Sequence, residues 1–146
     1  MDTTDQYIKM CEMAEEIQEE WKPRLGDLMY APSFCRYLFG RLENVSVEKD
    51  TQWILKPNEI EEINRNELLA NHCFWLPRQE QLQEMVKEKS DVYPWTLNRR
   101  FWKWSHGFYE HEIAGYYNSF EKLWLAFVMS QKHGKRWDGE KWIKEE

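Results

Sequence analysis

Long apolar runs are missing from this chain. Nowhere in its 146 residues does a stretch approach the roughly 20 consecutive apolar residues that a bilayer-spanning helix requires. Residues Met1–Gln6 are polar and acidic, without the basic start and apolar core of a secretory signal, so the expected location is the cytoplasm. Glycine is scarce and scattered, and none of the six glycines belongs to a phosphate-cradling loop. A G-x-S-x-G nucleophile elbow is also missing. Cys11, Cys35 and Cys73 are widely spaced and form no C-x-x-C, which fits reduced, buried thiols better than a disulfide framework. His72 and Cys73 are adjacent, and His106 and His111 are five apart, but neither spacing completes a two-pair metal site. His111-Glu112 opens like H-E-x-x-H, yet Gly115 stands where the second histidine belongs. The expectation is therefore no metal, no cofactor and no enzymatic activity.

An excess of positive charge is missing too. Twenty Lys and Arg against 26 Asp and Glu give a net charge of −6, and the pI is about 5.3. That balance argues against broad binding to phosphate backbones, which needs a basic face. What the chain has in abundance is aromatics: nine Trp, seven Tyr and seven Phe. Such rings dominate burial in cores and interfaces, while Trp and Tyr also need a partner for N–H or O–H. With 42% hydrophobic and 32% charged residues the composition is that of a globular protein. Its length suits one domain spanning residues 1–146.

Periodicity supplies the elements. Thr3 and Gln6 form a T-x-x-Q capping signature. Tyr7, Met10, Ala14, Ile17 and Trp21 then recur three and four apart, predicting one helix over Thr3–Trp21 whose apolar face packs on its own domain. Two heptads are short for a coiled-coil seam. Pro23 and Gly26 end this helix. Leu28–Tyr30, Phe34–Phe39 before Gly40, Val45 with Val47, and Thr51–Leu55 read as strands, with a hairpin loop at Glu48–Asp50. Asn58–Leu69 is ambiguous between helix and strand.

Phe74–Leu76 is expected to anchor in the core, and Pro77 to begin a helix at the position where its missing N–H costs nothing. Leu82, Met85 and Val86 face inward along it. Ser90–Pro94 breaks it, and a second helix covers Trp95–His106, with Leu97, Phe101 and Trp104 on its inner face and Gly107 as its stop. After a loop containing Gly115, Asn118 and Glu121 cap the most apolar helix, with Phe120, Leu123, Trp124, Phe127 and Val128 set for the core and Gly134 at its end. Asp138-Gly139 between Trp137 and Trp142 signals a closing β-hairpin. The expected fold class is α+β: a small antiparallel, coiled or barrel-like sheet from Leu28 to about Leu55, packed against about four helices.

Two surfaces are candidates for binding. The first is the polar face of the helix after Pro77, formed by Arg78, Gln79, Gln81 and Gln83. The second is the basic-aromatic cluster of Arg99, Arg100, Trp102 and Lys103, where charge and stacking together suit a nucleic-acid strand. In the same cluster Phe101 and Trp104 share the Leu97 face, whereas Trp102 points away with Arg99 and His106. The leading expectation is a noncatalytic protein that binds another protein or self-associates; nucleic-acid binding through the Arg/Trp patch is the alternative, and no membrane contact is expected.

FWLPRQEQLQEM at Phe74–Met85 resembles a signature of small proteins encoded in phages and prophages of Gram-positive bacteria. YIKMCEMAEEIQEEWKPRLGD at Tyr7–Asp27 and FEKLWLAFVMSQKHGKRWDGEKWI at Phe120–Ile143 are similar to the same group. The resemblance implies a phage or prophage origin and carries over no activity, cofactor or site residue.

Overall fold

The computed structural model describes residues 2–24, 26–32, 52–54, 65–70 and 72–146. The expected strands at Phe34–Phe39 and at Val45 and Val47, the Glu48–Asp50 loop, Cys35 and the first part of the Asn58–Leu69 stretch lie outside them. Among the described residues are seven helices and five strands, an α+β chain with a C-terminal hairpin, as its patterning predicts. They group into two compact units, one of residues 1–14 with 78–146 and the other of Glu15–Pro77.

The predicted first helix is two helices, α1 (Asp5–Glu12) and α2 (Glu15–Glu20). The break falls at Met13–Ala14, where the chain leaves one unit for the other, and Ala14 N–H donates to the Cys11 carbonyl at 3.2 Å instead of one turn back. All five residues of the apolar stripe are nevertheless buried. The cap of α1 is Thr4 rather than Thr3. The Asp2 carboxylate accepts from the Thr4 N–H at 2.9 Å and from its hydroxyl at 2.7 Å, so that the Thr4 oxygen faces the Tyr7 N–H at 3.3 Å.

In Glu15–Pro77, β1 (Leu28–Tyr30) lies between β2 (Gln52–Ile54) and β3 (Phe74–Trp75), antiparallel to both. Met29 pairs with Trp53 on one side and with Trp75 on the other. Among the described residues, strands of two or three residues in the order β2-β1-β3 make an open sheet, which does not support the barrel-like one expected, because closure needs more and longer strands. The ambiguous stretch ends in helix α3 (Arg65–Ala70), after which His72 takes the left-handed conformation at φ 59°. Gln18 of α2 acts as a side-chain partner for β3: its amide donates to the Trp75 carbonyl at 3.0 Å and accepts from the Trp75 N–H at 2.7 Å. The Trp21 ring lies parallel to that of Trp75 with centroids 6.2 Å apart, and its indole N–H donates to Asp27 at 2.9 Å.

The other unit is built on α7 (Phe120–His133), against which α1, α4 (Gln79–Val86), α5 (Pro94–Ser105) and the strand β4 (Lys135–Trp137) pack. Ser119, not Asn118, caps α7 by accepting from the Lys122 N–H at 3.3 Å; the Asn118 amide oxygen accepts instead from the Lys122 ammonium at 2.7 Å. Gly134 ends α7 at φ 59°, the left-handed conformation glycine adopts without a Cβ penalty. β4 pairs antiparallel with β5 (Trp142–Lys144), Trp137 opposite Trp142, and the Trp142 indole donates to the Met10 carbonyl of α1 at 3.0 Å. Where a loop was expected around Gly115 the chain forms a short helix, α6 (Glu110–Gly115), with no buried side chain. Pro77 sits just outside α4, whose N-cap is Arg78, while Pro94 occupies the first turn of α5. The roughly four helices expected thus become seven among the described residues.

Candidate functional site

The site begins with the two faces of α5. Leu97 and Phe101 are buried, and the Phe101 ring stacks on Trp124 of α7 at 4.0 Å and 10°. Phe127 meets Phe101 edge-on at 5.6 Å, and the Trp104 indole donates to the Ser130 hydroxyl at 3.2 Å. These contacts fix the rotation of the helix. Residues 95, 98, 99, 102, 103 and 106, three, four, seven, eight and eleven positions along the chain, then necessarily face outward, and all six are exposed.

Trp95 and Trp102 on that outward side are 58% and 51% exposed. Tyr93, the N-cap residue, is held at the helix start because its carbonyl accepts from the Thr96 N–H at 3.0 Å and from the Thr96 hydroxyl at 2.7 Å. Its ring lies flat on Trp95, with centroids 4.4 Å apart and planes at 4°. Arg99 and Lys103 supply positive charge, and no Asp or Glu occurs in Pro94–Ser105. The outward face of α5 therefore combines aromatic rings with cations and carries no carboxylate.

Arg100 does not share it. Its guanidinium donates to Asp91 at 2.6 Å and to the Val86 carbonyl at 3.2 Å, and it lies 3.5 Å from Glu88. The Asp91 side chain is only 2% exposed and that of Arg100 26%. Burial raises the Asp91 pKa, but the Glu88 N–H and the Arg100 guanidinium outweigh it and hold the carboxyl below the usual carboxylate range. Arg100 thus pins the turn between α4 and α5, and the sequence cluster of four reduces to Arg99, Trp102 and Lys103. Trp95 and Tyr93 replace it, and sequence reasoning missed both. Their signal was present: Trp95 stands seven residues before Trp102, two turns along the same face.

The second candidate surface disperses. The Gln81 side chain accepts from the Arg78 N–H at 2.9 Å and so caps α4, while the Arg78 guanidinium pairs with Glu80 at 2.9 Å. Gln79 and Gln83 are half-buried.

Two other features stand apart from α5. Phe120, expected in the core, is 52% exposed and lines a groove of about 360 Å³ with Ile113, Ala114, Tyr117 and Leu123. Tyr117 is itself buried, which pushes its phenol up to about 12. Cys11 is fully buried and its thiol pKa is raised by desolvation against the opposing pull of Tyr7, so it stays protonated at neutral pH. Cys73 is likewise buried. Among the described residues no three His, Cys, Asp or Glu side chains are grouped to hold a metal ion, and no helix is long and apolar enough to cross a membrane. Neither the protein-family models, the curated proteins nor the solved structures give a match to this chain.

Proposed function

We propose that this is a noncatalytic accessory protein that docks a macromolecular partner on the outward face of α5, in the cytoplasm of a bacterium carrying the phage or prophage that encodes it. The docking reading is carried by Trp95 and Trp102, both more than half exposed on one helix face beside Arg99 and Lys103. Large apolar rings gathered on a surface mark interaction sites, and Trp, Tyr and Arg are the residues that most often carry binding energy once desolvated. The phage origin rests on the sequence resemblance at Phe74–Met85 and its two flanking blocks. Burial of both described thiols supports the noncatalytic reading.

Paired captures from host-cell lysate, with wild type and with Trp95→Ala/Trp102→Ala as baits, test the proposal. At least one component is expected to be retained by wild type and lost from the variant. Nuclease treatment separates a protein partner, which persists, from a nucleic acid, which does not, and light scattering of the purified chain reads self-association. Identical retained sets from the two baits would refute the docking face.

A further inference from the structure

We infer that the outward face of α5 binds single-stranded nucleic acid, with bases stacking on Trp95 and Trp102 and phosphates lying against Arg99 and Lys103. This rests on the docking reading above and names the partner. Strand binding without strong sequence preference combines aromatic platforms with a cationic track, and α5 presents both along one line. Seven residues at 1.5 Å rise separate the two tryptophans by about 10.5 Å along the helix. At roughly 3.4 Å per nucleotide that is room for about three stacked bases. The parallel Tyr93–Trp95 pair is already a stack, and each ring is more than half exposed, so a base can extend it. Arg99 and Lys103 lie between and beside the indoles, with Asn98 offering an amide to base edges.

The net charge of −6 opposes a polyanion as a whole, but it is not evenly spread. Residues 15–77 carry twelve carboxylates against seven Lys and Arg, and the remainder fourteen against thirteen. The unit that contains α5 is thus one charge from neutral, and α5 itself has cations only. A duplex fits less well, since its bases are paired and stacked away from the indoles. An acidic protein segment would satisfy the cations, but the outward positions of α5 give it rings and an amide with no aliphatic side chain to interdigitate.

The test is fluorescence anisotropy of fluorescein-labelled dT12 titrated with the full chain. Saturable binding is expected, with a slope of log K against log salt of about −1.4, the value for two phosphate contacts on a single strand. Trp95→Ala and Trp102→Ala should each weaken binding by about tenfold, as loss of one stacked base implies. Arg99→Gln/Lys103→Gln, a surface change that leaves the rings in place, should flatten the salt slope, and a 12-base-pair duplex should bind more weakly than dT12. Absence of saturation at about 1 mM protein, or equal affinity in the tryptophan variants, would overturn the inference. So would tryptophan-dependent binding of poly-glutamate without binding of dT12, which would assign the face to an acidic protein. If dT12 fails while a nuclease-resistant component is still lost from the Trp95→Ala/Trp102→Ala bait, the docking face stands and only the nucleic-acid partner falls; if the variant also retains that component, both fall.

Discussion

Replacing Asp91 by Asn tests whether Arg100 serves the fold or the surface. The substitution keeps the shape and removes the charge facing a guanidinium that is three-quarters buried. Breaking a buried pair from one side costs about 3–5 kcal/mol because the remaining charge is left without compensation. Arg100 retains some water, the Val86 carbonyl at 3.2 Å and the exposed Glu88 carboxylate at 3.5 Å, which lowers the expected loss to about 2–3 kcal/mol. At about 3 °C per kcal/mol for a chain of this size, the melting temperature should drop by about 6–9 °C. Urea denaturation at pH 7 gives the free energy directly through a shift in midpoint at unchanged slope.

The pH dependence has a definite sign. The carboxyl pKa is lowered in the folded chain, so the pair contributes fully above the unfolded value of about 3.9 and is lost as pH falls through the lower folded value. The gap between wild type and Asp91→Asn should therefore be constant from pH 7 to 5 and narrow below about 4. The double variant Asp91→Leu/Arg100→Met should be less destabilised than the two single changes added together. A loss under about 0.5 kcal/mol for Asp91→Asn, within the range of ordinary surface changes, would refute the structural role. So would Arg100→Met if it weakened dT12 binding while leaving stability intact.

Two further outcomes follow from the buried polar groups. Gln18→Leu preserves volume but removes the amide that holds both backbone groups of Trp75 at 3.0 and 2.7 Å; a loss of about 2–4 kcal/mol is expected in thermal or urea unfolding, and a change below about 1 kcal/mol would mean that β3 does not depend on α2. The fully buried Lys122 ammonium lies 3.4 Å from Asp2. Asp2→Asn and Lys122→Met should each cost about 2–4 kcal/mol by leaving the other buried charge without its counter-ion, and the double variant should lose less than the two single changes added together; strictly additive losses would show that the two groups do not act as a pair.

Much of the fold was legible because its rules are local. Tyr7, Met10, Ala14, Ile17 and Trp21 announce their buried face by spacing alone, and that face is buried even though the helix carrying it is broken at Met13–Ala14. The break itself has no Pro or Gly to signal it. Phe74–Trp75 illustrates a second limit: two residues are too short for a period, and they become a strand only because β1 and Gln18 supply partners distant in sequence. Thr4 displaced Thr3 as a cap because Asp2 holds the Thr4 N–H and hydroxyl, and Ser119 displaced Asn118 because Lys122 claimed the Asn118 amide oxygen. Phe120 has the composition of a core residue, but its position in the first turn of α7 leaves it at the lip of a groove.

The site divides in the same way. By itself the sequence determined that the chain is α+β, that Gly134 stops α7, that Asp138-Gly139 turns a hairpin between tryptophans, and that Arg99, Arg100, Trp102 and Lys103 share one short helix. Periodicity and turn chemistry need only neighbours along the chain. Which arginine faces outward was decided by tertiary structure. Arg99 and Arg100 are chemically identical and differ by one residue's rotation about the helix axis; stacking of Phe101 on Trp124 sets that rotation, and the Asp91 turn captures Arg100. The same rotation turns Trp95 out on the face of Trp102, so packing on the inner face of α5 is what leaves both indoles exposed on its outer face.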